Sequence, residues 1–278
     1  MATIFDGMNE AADQFLLLDD AWSGTPPRFG HLATLLQLSQ SSPRFGEENL
    51  IDQMFQRCQT AWQAAAEAQR RCRSSENWRS AKCLECRDDN PSQEVVLERL
   101  LARLTDDTWW NQVPVDSGLL ESQGRRKIDL VHREGDRFAI VELKVNSNTP
   151  LYAAMQVVQY GVAYLFFRRF VLQEIQKGAD AVCPPIMQAA ALDLVVLAPA
   201  EYYSRFGGSP SWLESFEQQI NAQLSASKTR EVCEIPMSFR FESFPVDFKW
   251  SLDLASDPSE HQQVVDALHH RQRVFPAG

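Results

Sequence analysis

The sequence predicts an α/β fold in which one sheet is covered by helices on both faces. Three observations predict it. From residue 90 onward the apolar pattern changes in the order helix, three strands, helix, strand. The third of those strands, "FAIVELKV" (Phe138 to Val145), opens with apolar residues on both of its faces, as a central strand does. A chain of 278 residues with 44% apolar residues can also bury a large core against such a sheet.

Taken in order, residues 1–46 mix short apolar runs with Gly, Ser and Pro and predict short helices joined by loops. "PRFG" occurs twice there, at Pro27–Gly30 and Pro43–Gly46, too few copies for a repeat architecture. From Glu47 the spacing is helical, with Leu50, Met54, Cys58 and Trp62 on one stripe. The polar stretch "RSSENWRSAKCLECRDDNPSQ" then separates a helical N-terminal region, residues 1–89, from residues 90–278. At that boundary Asn90 can cap a helix, Pro91 suits its first position and Gln93 stands where a capping-box partner belongs. "EVVLERLLARL" follows, with Val96, Leu97, Leu100, Leu101 and Leu104 as its apolar face. "WWNQVPV", "KIDLVHR" and "FAIVELKV" are the three strands, the last two joined as a hairpin through "EGDR". Next come a long helix from about Leu151 to Lys177, a strand in "ALDLVVLAP", an amphipathic helix in "SPSWLESFEQQINAQL" and a late strand in "IPMSFRFESF".

Charge and cysteine usage narrow the partners. The net charge of −10 works against a nucleic-acid binder. Basic clusters nevertheless occur from Arg70 to Lys82, in "GRRK" ending at Lys127, at Arg168 and Arg169 and in "HHRQR", and docking depends on the local field. No apolar run is long enough to cross a bilayer and no basic leader precedes "FLLLDDAW", so a cytoplasmic protein without membrane association is expected. The six cysteines show no disulfide framework. "CLEC" (Cys83 to Cys86) lacks the second pair that a closed zinc site needs.

Charges inside the strands carry the functional signal. Glu142 and Lys144 share a face with Phe138 and Ile140, and their Cα atoms lie about 6.6 Å apart in an extended chain. Asp129 stands on the partner strand of the hairpin, at a spacing that can bring it beside Glu142. Two carboxylates aimed at one point repel, and burial raises the cost. A divalent cation resolves the conflict, and Mg²⁺ is held by one or two carboxylates plus water and substrate oxygen. A lysine beside such a site can stabilise charge on phosphorus or help to deprotonate the attacking water. The set suits metal-dependent hydrolysis of a phosphodiester.

Ile128–Asp129 followed by Glu142–Leu143–Lys144 resembles the signature of the PD-(D/E)XK nuclease superfamily, with Ile128 in place of its proline. "QVVQY", Gln156 to Tyr160, is similar to the Q-x-x-x-Y motif of the superfamily's RecB-like and lambda-exonuclease-like branches. The resemblance covers roughly Asn90 to Pro199. It implies a restriction-endonuclease-like αβββαβ core, a central mixed sheet flanked by helices, with the helical N-terminal region as an extension. It also implies a nuclease dependent on Mg²⁺ or Mn²⁺, with DNA the expected polymer. Asp129, Glu142 and the Leu143 carbonyl would hold the metal, Lys144 would act on the water or the phosphate, and Gln156 and Tyr160 would orient the substrate. The superfamily also uses a carboxylate from the preceding helix, Glu94 or Glu98 here. Glu94 is preferred because it falls beside Leu97 and Leu101, whereas Glu98 is expected to point toward solvent.

Two blander readings stay open. Glu142 and Lys144 could form a salt bridge at a strand end, with Asp129 solvated. The chain could also be a catalytically inactive member of the same fold that serves as a binding or assembly module, which its acidic charge favours. The N-terminal region is expected to serve substrate binding or oligomer contacts, including those of a homo-oligomer.

Overall fold

Among the described residues six strands form one mixed sheet in the order β1 (Trp109–Pro114), β2 (Lys127–Glu134), β3 (Arg137–Leu143), β4 (Ala191–Ala198), β5 (Met237–Ser243) and β6 (Gln272–Arg273). The structure is a computed structural model that describes residues 3–18, 27–40, 44–64, 77–85, 92–115, 126–171, 183–204 and 211–276. Strands β1 to β3 are an antiparallel meander, β4 and β5 run parallel to β3, and β6 returns antiparallel to β5. The hairpin between β2 and β3 turns through Gly135, whose φ of +60° suits glycine.

The helices are α1 (Met8–Phe15), α2 (Leu32–Gln40), α3 (Leu50–Ala64), α4 (Gln93–Leu104), α5 (Pro150–Phe166), α6 (Ala200–Ser204), α7 (Ser211–Ala226), α8 (Lys228–Val232), α9 (Leu252–Ser256) and α10 (His261–His269). Helix α5 is the crossover that the parallel pair β3 and β4 requires. Ile140, Leu194, Val196, Phe239 and Phe241 pack with α5 on one face of the sheet, and α1 and α3 join the same core. Ala139, Val141, Leu143, Val195 and Leu197 pack with α4 and α10 on the other. The central strands are therefore apolar on both faces because both are covered. Among the described residues no helix is long and apolar enough to cross a membrane.

Two details differ from expectation. The N-cap of α4 is Ser92, whose hydroxyl accepts from the Val95 N–H, while Asn90 and Pro91 lie outside the described residues. Helix α5 keeps α-helical spacing only to Phe166 and continues as a π-helix over Phe167–Val171; the predicted stretch to Lys177 lies outside the described residues.

Candidate functional site

The charges converge at the end of β3. Leu130 pairs with Val141, and the same register one step on sets Asp129 across from Glu142. Lys144 follows the strand and donates its backbone N–H to the Leu197 carbonyl of β4 at 2.9 Å. Glu142 is 1% exposed and Lys144 6%. The Lys144 ammonium stands 2.7 Å from Glu142 Oε1. Glu142 Oε2 is buried with no hydrogen-bond partner among the described residues. Asp129 is partly buried, and its Oδ2 accepts from the Leu143 N–H at 3.0 Å. The salt-bridge reading is thus right about the Glu142–Lys144 contact, but Asp129 is not simply solvated.

Helix α4 brings two further carboxylates to this end of the sheet. Glu94, in its first turn, accepts from the N–H of Val145 at 3.0 Å, the N–H of Ser147 at 3.2 Å and the Ser147 hydroxyl at 2.7 Å. Burial would push Glu94 up, but those donors and the Lys144 charge hold it below the ordinary carboxylate range. Glu98 does not point to solvent; it is 2% exposed. Its Oε1 accepts from Asn111 at 2.7 Å and its Oε2 from Gln112 at 2.6 Å, so two carboxamides of β1 satisfy the buried group. Burial and the Asp129 charge push Glu98 up to about 8 against the pull of those amides. The polar pair Asn111–Gln112 inside an apolar strand is the signal that could have found this partner. Gln112 also holds a left-handed backbone, with φ of +51°.

Burial, with the Asp129 charge next, pushes Glu142 up to about 8 despite Lys144. Burial likewise raises Asp129, with Lys144 and the Leu143 N–H opposing and Glu94 adding to the rise. Burial works against the charge on Lys144, but Glu142 and Asp129 outweigh it and hold the ammonium charged. From α5, Gln156 donates to the Tyr160 hydroxyl at 3.0 Å, and Tyr160 donates to the Lys127 carbonyl at the start of β2 at 3.1 Å. The motif pair is therefore joined in one chain of hydrogen bonds that ends on the strand carrying Asp129.

The arrangement places three carboxylates, Glu142, Asp129 and Glu94, around one buried ammonium, with Glu98 beside Asp129. A divalent cation would meet an orphaned oxygen at Glu142 Oε2, beside two carboxylates that burial holds above the ordinary range. Among the described residues no group of three or more His, Cys, Asp or Glu side chains is gathered to hold a metal. Two carboxylates with water and substrate oxygen is an ordinary Mg²⁺ environment.

By its fold and site this is a mixed α/β protein with a buried carboxylate–lysine cluster at the end of a central strand. No family model matches the chain, no curated protein matches it, and no solved structure matches it.

Proposed function

We propose that the protein is a metal-dependent nuclease of restriction-endonuclease-like architecture that hydrolyses phosphodiester bonds, with DNA the expected substrate. The observation that carries this reading is the facing pair Asp129 and Glu142, with Lys144 beside them and Glu142 Oε2 left without a partner. The order α4, β1, β2, β3, α5, β4 supports it, being the αβββαβ arrangement that the motif resemblance implies. Asp129 and Glu142, with the Leu143 carbonyl, would hold Mg²⁺ or Mn²⁺, which when bound would supply charge neutralisation and a more acidic water. Lys144, released from Glu142 Oε1, would present a fixed positive charge to the phosphorane oxygens or to the attacking water. Gln156 and Tyr160 would meet the substrate backbone from α5. Glu94 would hold the loop after β3, and so Lys144, in place through Val145 and Ser147.

A second reading, a catalytically inactive binding or assembly module, has one observation in its favour: Lys144 and Glu142 already occupy each other. Incubating the full chain with linear and circular DNA, with and without Mg²⁺ or Mn²⁺, separates the two. The nuclease should cleave, and Lys144→Ala should lower the rate by about a hundredfold or more. That variant leaves Glu142 unpaired, so its melt must be recorded alongside. Full EDTA-sensitive cleavage by folded Lys144→Ala would remove the lysine from the chemistry, and no cleavage by the wild type would favour the module.

A further inference from the structure

The two apolar cores change places at one step of the β1–β2 ladder. Trp109 and Leu130 pack in the core under α4 and α10, whereas Val113 and Ile128 pack in the core under α5. Asn111, two positions before Val113, turns to Glu98 on α4. Residues two apart on a strand ordinarily share a face, so both strands change face between these positions. The register passes from Asn111 across from Leu130 to Val113 across from Ile128, and steps over Gln112 where it stands across from Asp129. On β1 the change falls at Gln112. Among the described residues it is the one non-glycine residue inside a strand with a left-handed backbone. Neighbouring side chains on a strand point to opposite faces, yet Asn111 and Gln112 both reach Glu98, one to each oxygen. The orientation of the Asn111 carboxamide is fixed. Its Oδ1 accepts from the Cys83 N–H, and its Nδ2 donates to the Cys83 carbonyl and to Glu98 Oε1. Gln112 Nε2 completes the clamp by donating to Glu98 Oε2 at 2.6 Å.

We propose that Gln112 is a positioning residue of the carboxylate centre: it fixes Glu98 beside Asp129, where the Glu98 charge strengthens the hold on the metal. The proposal rests on the metal-dependent reading and adds to it a residue of β1. Glu98 lies close enough to Asp129 for their charges to oppose each other. A cation at Asp129 turns that opposition into attraction, because it meets both charges at once. Glu98 is 2% exposed and both of its oxygens accept from amides, so what it offers the cation is a fixed charge. Partners one step removed from a metal change its affinity by about tenfold to a hundredfold. A left-handed backbone in a residue with a Cβ is strained, and it persists only where the surroundings over-determine it. Here the change of core and the clamp on Glu98 do so.

The test is Mn²⁺ binding by the full chain without substrate, read from the free-ion signal in electron paramagnetic resonance at pH 8.5. That pH lies above the value of about 8 to which burial and the Asp129 charge lift Glu98, so the Glu98 charge is present. Gln112→Gly accepts the left-handed backbone and removes the carboxamide. It should weaken Mn²⁺ binding about tenfold. Should it melt early, Gln112→Asn replaces it with the same expected loss, since asparagine also accepts a left-handed backbone but is one carbon short of Glu98. Glu98→Gln should lose as much affinity, and it is tolerated because the Gln112 carboxamide can turn over to accept from the new amide. Added to Glu98→Gln, the Gln112 substitution should cost no further affinity, because the charge it holds is already gone. Wild-type affinity in a folded Gln112 variant, or a further loss of similar size in the double variant, overturns the proposal. A wild type that binds no Mn²⁺ overturns it together with the metal site. A wild type that binds Mn²⁺ with this pattern of variants yet cleaves no DNA keeps the positioning role and removes only the chemistry.

Discussion

Asp129 and Glu142 face each other across β2 and β3, and burial holds both above the ordinary carboxylate range, with the Asp129 charge adding to the rise at Glu142 and the Glu94 charge to the rise at Asp129. At about 4 Å and an effective dielectric of about 20, two full charges would repel by about 4 kcal/mol, an upper bound that a shared proton reduces. Asp129→Asn removes one charge, and its amide oxygen can still accept from the Leu143 N–H. The metal-free variant should therefore be more stable than the wild type, by about 1 kcal/mol. The sign with pH follows from linkage. Glu142 keeps its proton up to about 8 in the folded chain and loses it earlier when unfolded. The folded state binds more protons in that window, so wild-type stability should fall as pH rises from about 5 through about 8. The variant should show a flatter profile. Melts of both proteins in EDTA and in Mn²⁺, at pH 5.5 and 8.5, check this. Mn²⁺ should stabilise the wild type more than the variant by mass action. An unchanged or weakened metal-free variant with an equal response to Mn²⁺ would argue against a shared metal.

Helix α5 carries the site from one side of the sheet, and its seat on β4 is tight. A Cβ at Gly161 would come within 2.7 Å of Leu194 Cδ1, and Leu194 is fully buried. Gly161→Ala should therefore be destabilising by about 1–3 kcal/mol despite alanine's better helix propensity, and adding Leu194→Val should recover part of the loss. Thermal melts of the single and double variants measure it; an Ala variant as stable as the wild type would mean that α5 can shift. At this scale much of the fold is legible in the sequence. Alternation in "FAIVELKV" marks β3 and puts Glu142 and Lys144 on one face, and the apolar run of α5 marks a helix buried all round. The burial of Glu98 is not legible on a helical wheel, which sees only its own helix; the polar pair on β1 hints at a buried partner without naming it. Its partners Asn111 and Gln112 stand thirteen and fourteen positions away on β1. The place of Phe29 is not legible either, its carbonyl meeting Thr149 across 120 positions. Tertiary contact of that range leaves no periodic trace.

The shift in composition near residue 89 is a change in polarity, and the core does not end there. Phe55 and Trp62 of α3 pack on Phe166 of α5, at 6.1 Å and 5.7 Å. Trp78, 1% exposed, lies edge-on to Tyr164 and Phe167 and donates its backbone N–H to the Pro114 carbonyl of β1. Asn111, which supports Glu98, also exchanges hydrogen bonds with the backbone of Cys83 at 2.7 Å and 2.9 Å. Farther along, Asp52 of α3 accepts from Ser227 and Thr229 at the start of α8. Removing residues 1–89 would strip the outer face of α5 and cut one support of the carboxylate cluster. Losing a buried aromatic side chain costs about 3–5 kcal/mol, and several are lost at once from a fold whose total stability is about 5–15 kcal/mol. The exposed face of α5 would then be an apolar patch large enough to drive association. A chain of residues 90–278 is expected to aggregate or to melt without cooperativity, so the binding role of the N-terminal region has to be tested with point substitutions in the full chain. Calorimetry and size-exclusion chromatography of that fragment check the expectation. A monomer with a sharp melt and metal-dependent cleavage would show that the first 89 residues cover the fold without holding it together.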